Sequence, residues 1–292
     1  MIKKAVISAA GMGTRFLPAV KAYSKELIPI LDKPQLQLVV EECIGAGIEE
    51  IAIVIRPENG ITEKYFTSDE KLDKYLTQTG KIAYLNTLNE IWRKLKTLKF
   101  IHQDPTLPYG NGTPILCAKD FIDGKDFVYI FGDDLVIEQE KGKFLHYLMK
   151  LFESYQPDVI EAVQVVPHED SHLYGMVLYK KEAVPNQMES IIEKPSIDET
   201  PSNMAQFGRF VCSQKVIEQL EKRQLGKGNE LWLADQINFL AHNGIVIAEP
   251  IKEGRWWTTG DPLRWLIANI EAAKNDPRFA GQIKKYLNEN KI

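Results

Sequence analysis

The 292-residue chain has only three cysteines, Cys43, Cys117 and Cys212, far apart and set among apolar residues, with no CxxC pair. Their scarcity excludes a disulfide framework and a thiolate metal centre, and it predicts buried free thiols in a reducing cytoplasm. No apolar run approaches the roughly 18 to 20 residues that a membrane helix requires. The apolar part of residues 1–10 is too short for the core of a secretory signal and reads as a strand, so a membrane is not an expected partner. A formal net charge of −4 gives no basic footprint, and nucleic acid is not an expected partner either. Internal repeats, low-complexity tracts and a basic tail are also missing. The length allows one elaborated α/β domain or two closely packed ones.

What the chain does have is a glycine-rich loop. Residues 9–29 read AAGMGTRFLPAVKAYSKELIP and follow a short apolar run at residues 5–8. Two glycines flanking Met12 let the backbone turn tightly and bring amide groups close to a ligand. Arg15, Lys21 and Lys25 add positive charge, and the combination suits a polyphosphate. A dinucleotide fingerprint needs a third glycine where this chain has Phe16. A Walker loop needs a Gly-Lys-Ser/Thr ending, which is absent.

The loop is followed by helical spacing of Leu36, Val39, Val40, Cys43 and Ile44, opened by Pro34 and closed by Gly45 and Gly47. Residues 51–55 are a continuous β-branched run, so a βαβ unit is expected. In residues 69–98, Leu72, Tyr75, Leu76, Leu88, Ile91, Trp92, Leu95 and Leu98 predict amphipathic helices interrupted near Gly80 and packed as a peripheral subdomain. Strands are predicted at residues 99–103, 127–131 and 159–166, a helical segment after the loop at residues 103–113 ends near Ile122, and a helix covers residues 263–274. There Trp265 and Ile270 are core or subunit contacts. Asp133 and Asp134 follow the strand at residues 127–131. In an open α/β sheet the carboxyl ends of strands face the ligand crevice, so a carboxylate there is placed to hold Mg²⁺.

The ordered residues GTRFLPAVKAYSKELIPILDKP resemble the opening of the sugar-1-phosphate nucleotidyltransferases, and within them the bacterial UTP:glucose-1-phosphate uridylyltransferases. The main departure there is Ser24, where the family has proline. LYGMVLYKK, IIEKPS, MAQFGRFVCS and GNELWLADQI then follow in the family's order, extending the resemblance over most of the chain. It implies a three-layer, Rossmann-like α/β fold with a mixed, mostly parallel central sheet. Residues 1–292 would form a single domain, with a nucleotide half at about 1–158 and a sugar half at about 159–292.

The resemblance also implies roles. Ala9, Ala10, Gly11, Gly13 and Thr14 would form the nucleotide loop, with Arg15 on the triphosphate and Lys25 neutralising charge at the reacting phosphate. Gln103 and Gly110 would hold the pyrimidine, although the spacing between Gln103 and the Gly110-Asn111-Gly112 turn is about two residues longer than the family's. Asp133 matches the metal-binding aspartate. Gly175 would let the chain approach the sugar, Glu193 and Glu230 would bind its hydroxyls, and Lys194 would pair with the sugar phosphate. Asn229 and Trp232 replace the family's Asp and Gln. The family's second metal-binding aspartate is here Thr258, so three outcomes are open: Asp261 substitutes, Asp133 with phosphates and waters suffices, or activity is low.

The expected reaction is transfer of UMP from UTP to glucose 1-phosphate, giving UDP-glucose and pyrophosphate, with Mg²⁺ and in a homo-oligomer, a dimer or tetramer. Two alternatives stand beside it. One is a thymidylyltransferase or another sugar 1-phosphate specificity; the other is a UDP-sugar-binding protein with a weakened active site.

Overall fold

The apolar runs that lack polar alternation become the buried strands of the sheet. A computed structural model describes residues 2–57, 60–89, 94–181 and 184–290. The first strand, β1 (Lys4–Ala9), leads into the glycine loop and three short 3₁₀ turns, then into a small ribbon, β2 (Pro29–Ile30) with β3 (Lys33–Pro34). Helix α1 (Gln35–Ala46) begins directly after Pro34 and buries Leu36, Val39, Val40 and Cys43. It passes through Gly45 and ends at Gly47, which takes the left-handed conformation (φ 91°) that suits glycine. Strand β4 (Glu50–Ile55) then completes a βαβ unit parallel to β1.

Helices α2 (Gly60–Tyr65), α3 (Glu70–Gln78) and α4 (Ile82–Asn89) lie at the periphery. Of their apolar residues only Leu76 is buried, while Leu72, Tyr75 and Leu88 are exposed; Ile91 and Trp92 fall outside the described residues. Strand β5 (Thr97–His102) starts two residues before the expected Lys99, and Gln103 lies just beyond it. The segment ending at Ile122 is two short helices, α5 (Thr113–Cys117) and α6 (Lys119–Ile122), because Ala118 leaves the helical conformation.

After β6 (Phe127–Phe131) come β7 (Asp134–Ile137), α7 (Lys143–Tyr155) and β8 (Val159–Val165). The remainder comprises β9 (Gly175–Tyr179), β10 (Met188–Glu193), β11 (Met204–Cys212), α8 (Lys215–Leu220), α9 (Leu233–Asn243), β12 (Val246–Pro250), β13 (Arg255–Thr258), α10 (Pro262–Asn275) and α11 (Ala280–Glu289). Sequence patterning does not predict β7 and β13, which pair with each other, nor α7, α8, α9, β12 and α11. Cys43 and Cys212 are buried free thiols, whereas Cys117 is half-buried and its sulfur accepts from the Asp104 amide.

Among the described residues nine strands form one mixed sheet, β10-β9-β11-β6-β1-β4-β5, with β8 on the other edge of β11 and β12 beyond it. The β6-β1-β4-β5 portion is parallel throughout. Strand β11 runs antiparallel between β6 and β8, so the two halves of the chain share one sheet. Helices α1 and α7 cover one face over Ile7, Ile51, Ile53 and Ile130. The other face packs Val6, Val54 and Tyr129 against α5, α6, α8 and α9. These are the three layers of an α/β fold.

The largest fully buried side chain is a charged one. Arg209 on β11 donates from Nε and Nη2 to the two carboxylate oxygens of Glu42 on α1, each at 2.7 Å. Its remaining hydrogen bonds go to the carbonyls of Gly208 (2.8 Å) and Asp134 (2.9 Å). A second buried carboxyl, Glu161 on β8, has no cation beside it among the described residues; burial pushes it up to about 8 against the pull of its hydrogen bond from Gln206.

Two outcomes follow from these buried groups. Arg209→Met alone leaves Glu42 charged and unpaired, and its urea midpoint will fall by an amount worth about 3 to 5 kcal/mol. Adding Glu42→Leu will recover much of that loss, which a double-mutant cycle measures. For Glu161, the native state holds a proton that the unfolded chain has already released between its ordinary pKa and about 8. That contribution to stability is full at low pH and disappears as pH rises to 8. The melting temperature of Glu161→Gln will therefore rise relative to the parent between pH 5 and pH 8.

Candidate active site

The glycine loop is shaped by what lies beneath it. Gly13 has φ 65°, and a Cβ there would sit 3.1 Å from the Cβ of Lys25. Phe16, Val20 and Ile28 form a small cluster of their own under residues 14–28, with Tyr23 and Trp265 against it. The Trp265 indole donates to the Pro29 carbonyl at 3.1 Å, so this residue packs within its own chain. Arg15 stays exposed above the cluster.

Lys25 forms an ion pair with Asp133, which follows β6 and lies at the carboxyl end of the parallel sheet, and its ammonium is 3.8 Å from Glu26. Burial alone would discharge this lysine, but Asp133 and Glu26 outweigh that effect and hold its pKa above the ordinary value. Burial likewise pushes Asp133 up, and Lys25 overcomes it, so the carboxyl is held below its usual range. Asp134 differs: burial and the neighbouring Asp133 charge push it up to about 6. Its Oδ2 accepts from the Gly208 amide at 2.8 Å. Adjacent aspartates are thus divided between an ionised group paired with Lys25 and a buried one tied to the Gly208 amide, and both border the cavity.

Asp133 is held by residues that sequence reasoning passed over. Thr259, almost fully buried, donates its amide (2.9 Å) to the Asp133 carbonyl, and its hydroxyl lies 2.7 Å from the same oxygen. The hydroxyl also meets the Oε1 of buried Gln35 at 2.5 Å, and Gln35 Nε2 donates to the Lys25 carbonyl at 3.2 Å. A side chain built on Gly260 would come within 3.5 Å of Thr258 Oγ1, 3.6 Å of Asp133 Oδ2 and 3.8 Å of the Arg15 guanidinium. Thr258 Oγ1 and Asp133 Oδ2 therefore both border Gly260. Asp261 does not offer a free carboxylate: it caps α10 through the Arg264 amide (3.0 Å) and pairs with the Arg264 guanidinium (2.8 Å). Among the described residues no group of three or more His, Cys, Asp or Glu side chains converges to hold a metal ion.

On the other side of the cavity Gly175 on β9 is paired in register with Glu193 at the end of β10. Lys194 follows with φ 47°, its amide donating to the Tyr174 carbonyl at 3.0 Å. Its ammonium lies 3.4 Å from Glu193 and 4.8 Å over the Trp232 ring. Burial raises the Glu193 pKa, partly offset by Lys194.

A cavity of about 630 Å³ brings these groups together. Of the residues singled out in the sequence it is lined by Arg15, Asn111, Asp133, Asp134, Gly175, Glu193, Lys194, Trp232, Thr258 and Asp261, and it adds Gln206. Lys25 reaches it through Asp133. Ala9, Ala10, Gly11, Gly13, Thr14, Gln103, Gly110 and Glu230 are not in its lining. Gly110 (φ 145°) instead serves a close backbone approach, since a Cβ there would lie 2.3 Å from the Leu231 carbonyl oxygen. Leu231 in turn donates to Tyr109 (2.7 Å) and accepts from Gly112 (3.0 Å), and Asn111 Oδ1 accepts from the Leu233 amide at 2.7 Å. The GNG turn carried a sequence signal, but Asn111 rather than Gly110 is the residue the cavity meets. A larger cavity of about 1070 Å³ lies at the amino ends of β1 and β6, where Lys3, Lys125 and Lys215 are paired with carboxylates and Lys4 donates to the Phe121 carbonyl. Ligand crevices of open α/β sheets lie at the opposite, carboxyl end.

The sequence pattern of the nucleotidyl transferase family matches residues 4–275. The chain belongs to the nucleotidyl transferase family. It is 37% identical over 290 residues to the UTP–glucose-1-phosphate uridylyltransferase of Streptococcus pneumoniae serotype 4, covering 98% of this chain and 95% of that one. A UTP-bound UGPase from Acinetobacter baumannii superposes with a TM-score of 0.87 at 31% identity, covering 99% of both chains. A UDP-glucose pyrophosphorylase complexed with UDP-glucose superposes with a TM-score of 0.83 at 30% identity, covering 94% of this chain and 100% of that one.

Thr259→Val keeps the shape of the side chain and removes the hydroxyl that joins Asp133 to Gln35. Its unfolding free energy from urea titration will drop by about 1 to 3 kcal/mol, the cost of stranding buried acceptors.

Proposed function

We propose that the chain transfers UMP from UTP to glucose 1-phosphate, giving UDP-glucose and pyrophosphate, in a reversible reaction. The observation that carries this reading is the shared cavity: Arg15 and the Lys25–Asp133 pair lie on its phosphate side, and Glu193 with Lys194 on its sugar side. A relative bound to UTP and another complexed with UDP-glucose superpose over nearly the whole chain. The first half would bind the nucleotide and the second the sugar phosphate.

In the reaction, a phosphate oxygen of glucose 1-phosphate attacks the α-phosphorus of UTP as the bond to pyrophosphate breaks. The nucleophile is already ionised, so no general base is required. Arg15 and the loop amides hold the triphosphate, and Lys25, kept charged by its two carboxylate neighbours, neutralises charge that accumulates at the reacting phosphate. Lys194, steadied by Glu193 and Trp232, delivers the sugar phosphate in line. Glu193 accepts from sugar hydroxyls across the bare backbone of Gly175.

Enzymes of this kind use a divalent metal, which we read as Mg²⁺. The donor set fits a site of one carboxylate: Asp133 is ionised and partly open to the cavity, and Thr258 adds a neutral oxygen that borders Gly260 with it. Mg²⁺ commonly keeps several waters and takes one or two carboxylates together with substrate phosphates. When bound, the ion neutralises phosphate charge. Asp261 is excluded from this proposal by its bonds to α10.

No helix among the described residues is long and apolar enough to cross a membrane. The three unpaired thiols support a cytoplasmic location. The exposed apolar stripe Leu263, Leu266 and Ile267 on α10 supports a homo-oligomer, which sedimentation of the purified protein tests.

Pyrophosphate release, scanned over nucleoside triphosphates and sugar 1-phosphates, will be strongest with UTP and glucose 1-phosphate and will stop on chelation. Thymidine triphosphate will serve less well, since one methyl group is worth about 1 to 3 kcal/mol. Asp133→Ala will lower kcat by about 10²- to 10³-fold, and Lys194→Ala will raise the KM for glucose 1-phosphate. Silence over the whole panel, from folded protein that binds UDP-glucose, would replace this reading with that of a sugar-nucleotide-binding protein.

A further inference from the structure

One buried pair borders the sugar side of the cavity and has no part in the chemistry above. Gln206 on β11 lies opposite Val163 on β8, and Glu161 is two residues along the same strand, so both side chains share one face of the sheet. Gln206 is 8% exposed and lines the cavity; Glu161 is fully buried behind it. The Gln206 Nε2 donates to Glu161 Oε2 at 2.5 Å, while Glu161 Oε1 is buried without a partner.

A carboxamide has a donating end and an accepting end, so fixing one directs the other. With Nε2 on Glu161, Gln206 Oε1 faces the floor of the cavity. A Cβ on Gly175 would lie 3.1 Å from Glu193 Oε2 and 3.3 Å from Gln206 Oε1, so both oxygens converge over the same bare stretch of backbone. Among the described residues no donor is bonded to Gln206 Oε1.

We propose that Gln206 is a second hydroxyl acceptor of the sugar subsite and that Glu161 is the positioning residue that orients it. The inference deepens the uridylyltransferase reading and rests on it. Two acceptors flanking Gly175, one charged and one neutral, call for two hydroxyl donors on the sugar. A second carboxylate at this place would repel the incoming sugar phosphate, and a carboxamide held by a buried acid avoids that. Burial keeps Glu161 protonated around neutral pH, so the pair adds no charge to the subsite.

The test compares binding of UDP-glucose and UDP by calorimetry, which needs no turnover. The parent will bind UDP-glucose more tightly than UDP. Gln206→Met, close in volume but without an acceptor, will weaken UDP-glucose about tenfold and UDP less than twofold, the size of one hydrogen bond. Glu161→Leu will behave like Gln206→Met. Glu161→Gln, whose carboxamide oxygen still accepts from Gln206, will retain the parent's preference. In turnover, one of the deoxyglucose 1-phosphates will show a raised KM with the parent and lose that penalty in Gln206→Met. Unchanged UDP-glucose affinity in Gln206→Met overturns the assignment, as does an equal loss for both ligands, which would mark a purely structural role. A parent that does not distinguish UDP-glucose from UDP would instead remove the functional reading itself, and this proposal with it.

Discussion

The constraint on which the rest depends is the pairing of Arg209 with Glu42. Neither group can be buried alone, because an isolated charge out of water costs far more than one contact returns. Burying both requires α1 to lie against β11 in one register, and the guanidinium's remaining donors then hold the Gly208 and Asp134 carbonyls. This is where the parallel half of the sheet meets its antiparallel extension, since Arg209 stands beside Ile130 of β6. The turn that carries Asp133 is thereby fixed from below by an ion pair that never meets a substrate.

Above that support, the site is assembled from permanent charges rather than from groups poised to exchange protons. Lys25 is held protonated and Asp133 ionised by one another, despite burial that opposes both. This suits phosphoryl transfer to an acceptor that is already an anion, where placement and neutralisation supply the rate. Asp134, one residue on, meets the opposite environment and is spent on the sheet. The two carboxylates are identical in chemistry and separated in role because Asp133 lies in the turn after β6 and Asp134 begins β7.

The parts legible in the sequence were those coded locally. Short apolar runs gave β1, β4 and β6, helical spacing gave α1, and a carboxylate at a strand end gave Asp133. The glycine pair with its ordered cations marked the loop, whose packing of Gly11 and Gly13 against the Lys25 side chain only the structure shows. What stayed hidden depends on partners distant in sequence. The β7–β13 ribbon forms only because residues 134–137 and 255–258 meet, and Thr259, Gln35 and Gln206 matter through contacts with residues from about ten to more than two hundred positions away. Gly110 was visible as a glycine, but its cause, the Leu231 backbone, was not. Asp261 carried the right charge; only the geometry reveals that a helix end and Arg264 claim it.

The join between the GNG turn and Leu231 has a consequence for Lys194. Tyr109 and Gly112 are stitched backbone to backbone onto Leu231, and the Asn111 side chain accepts from the Leu233 amide; between them stands Trp232, the ring under Lys194. A substitution that reshaped the turn would drag this ring with it and tilt Lys194. The GNG turn and the Trp232 ring therefore move as one unit, and a change in the turn is transmitted to the neighbourhood of Lys194.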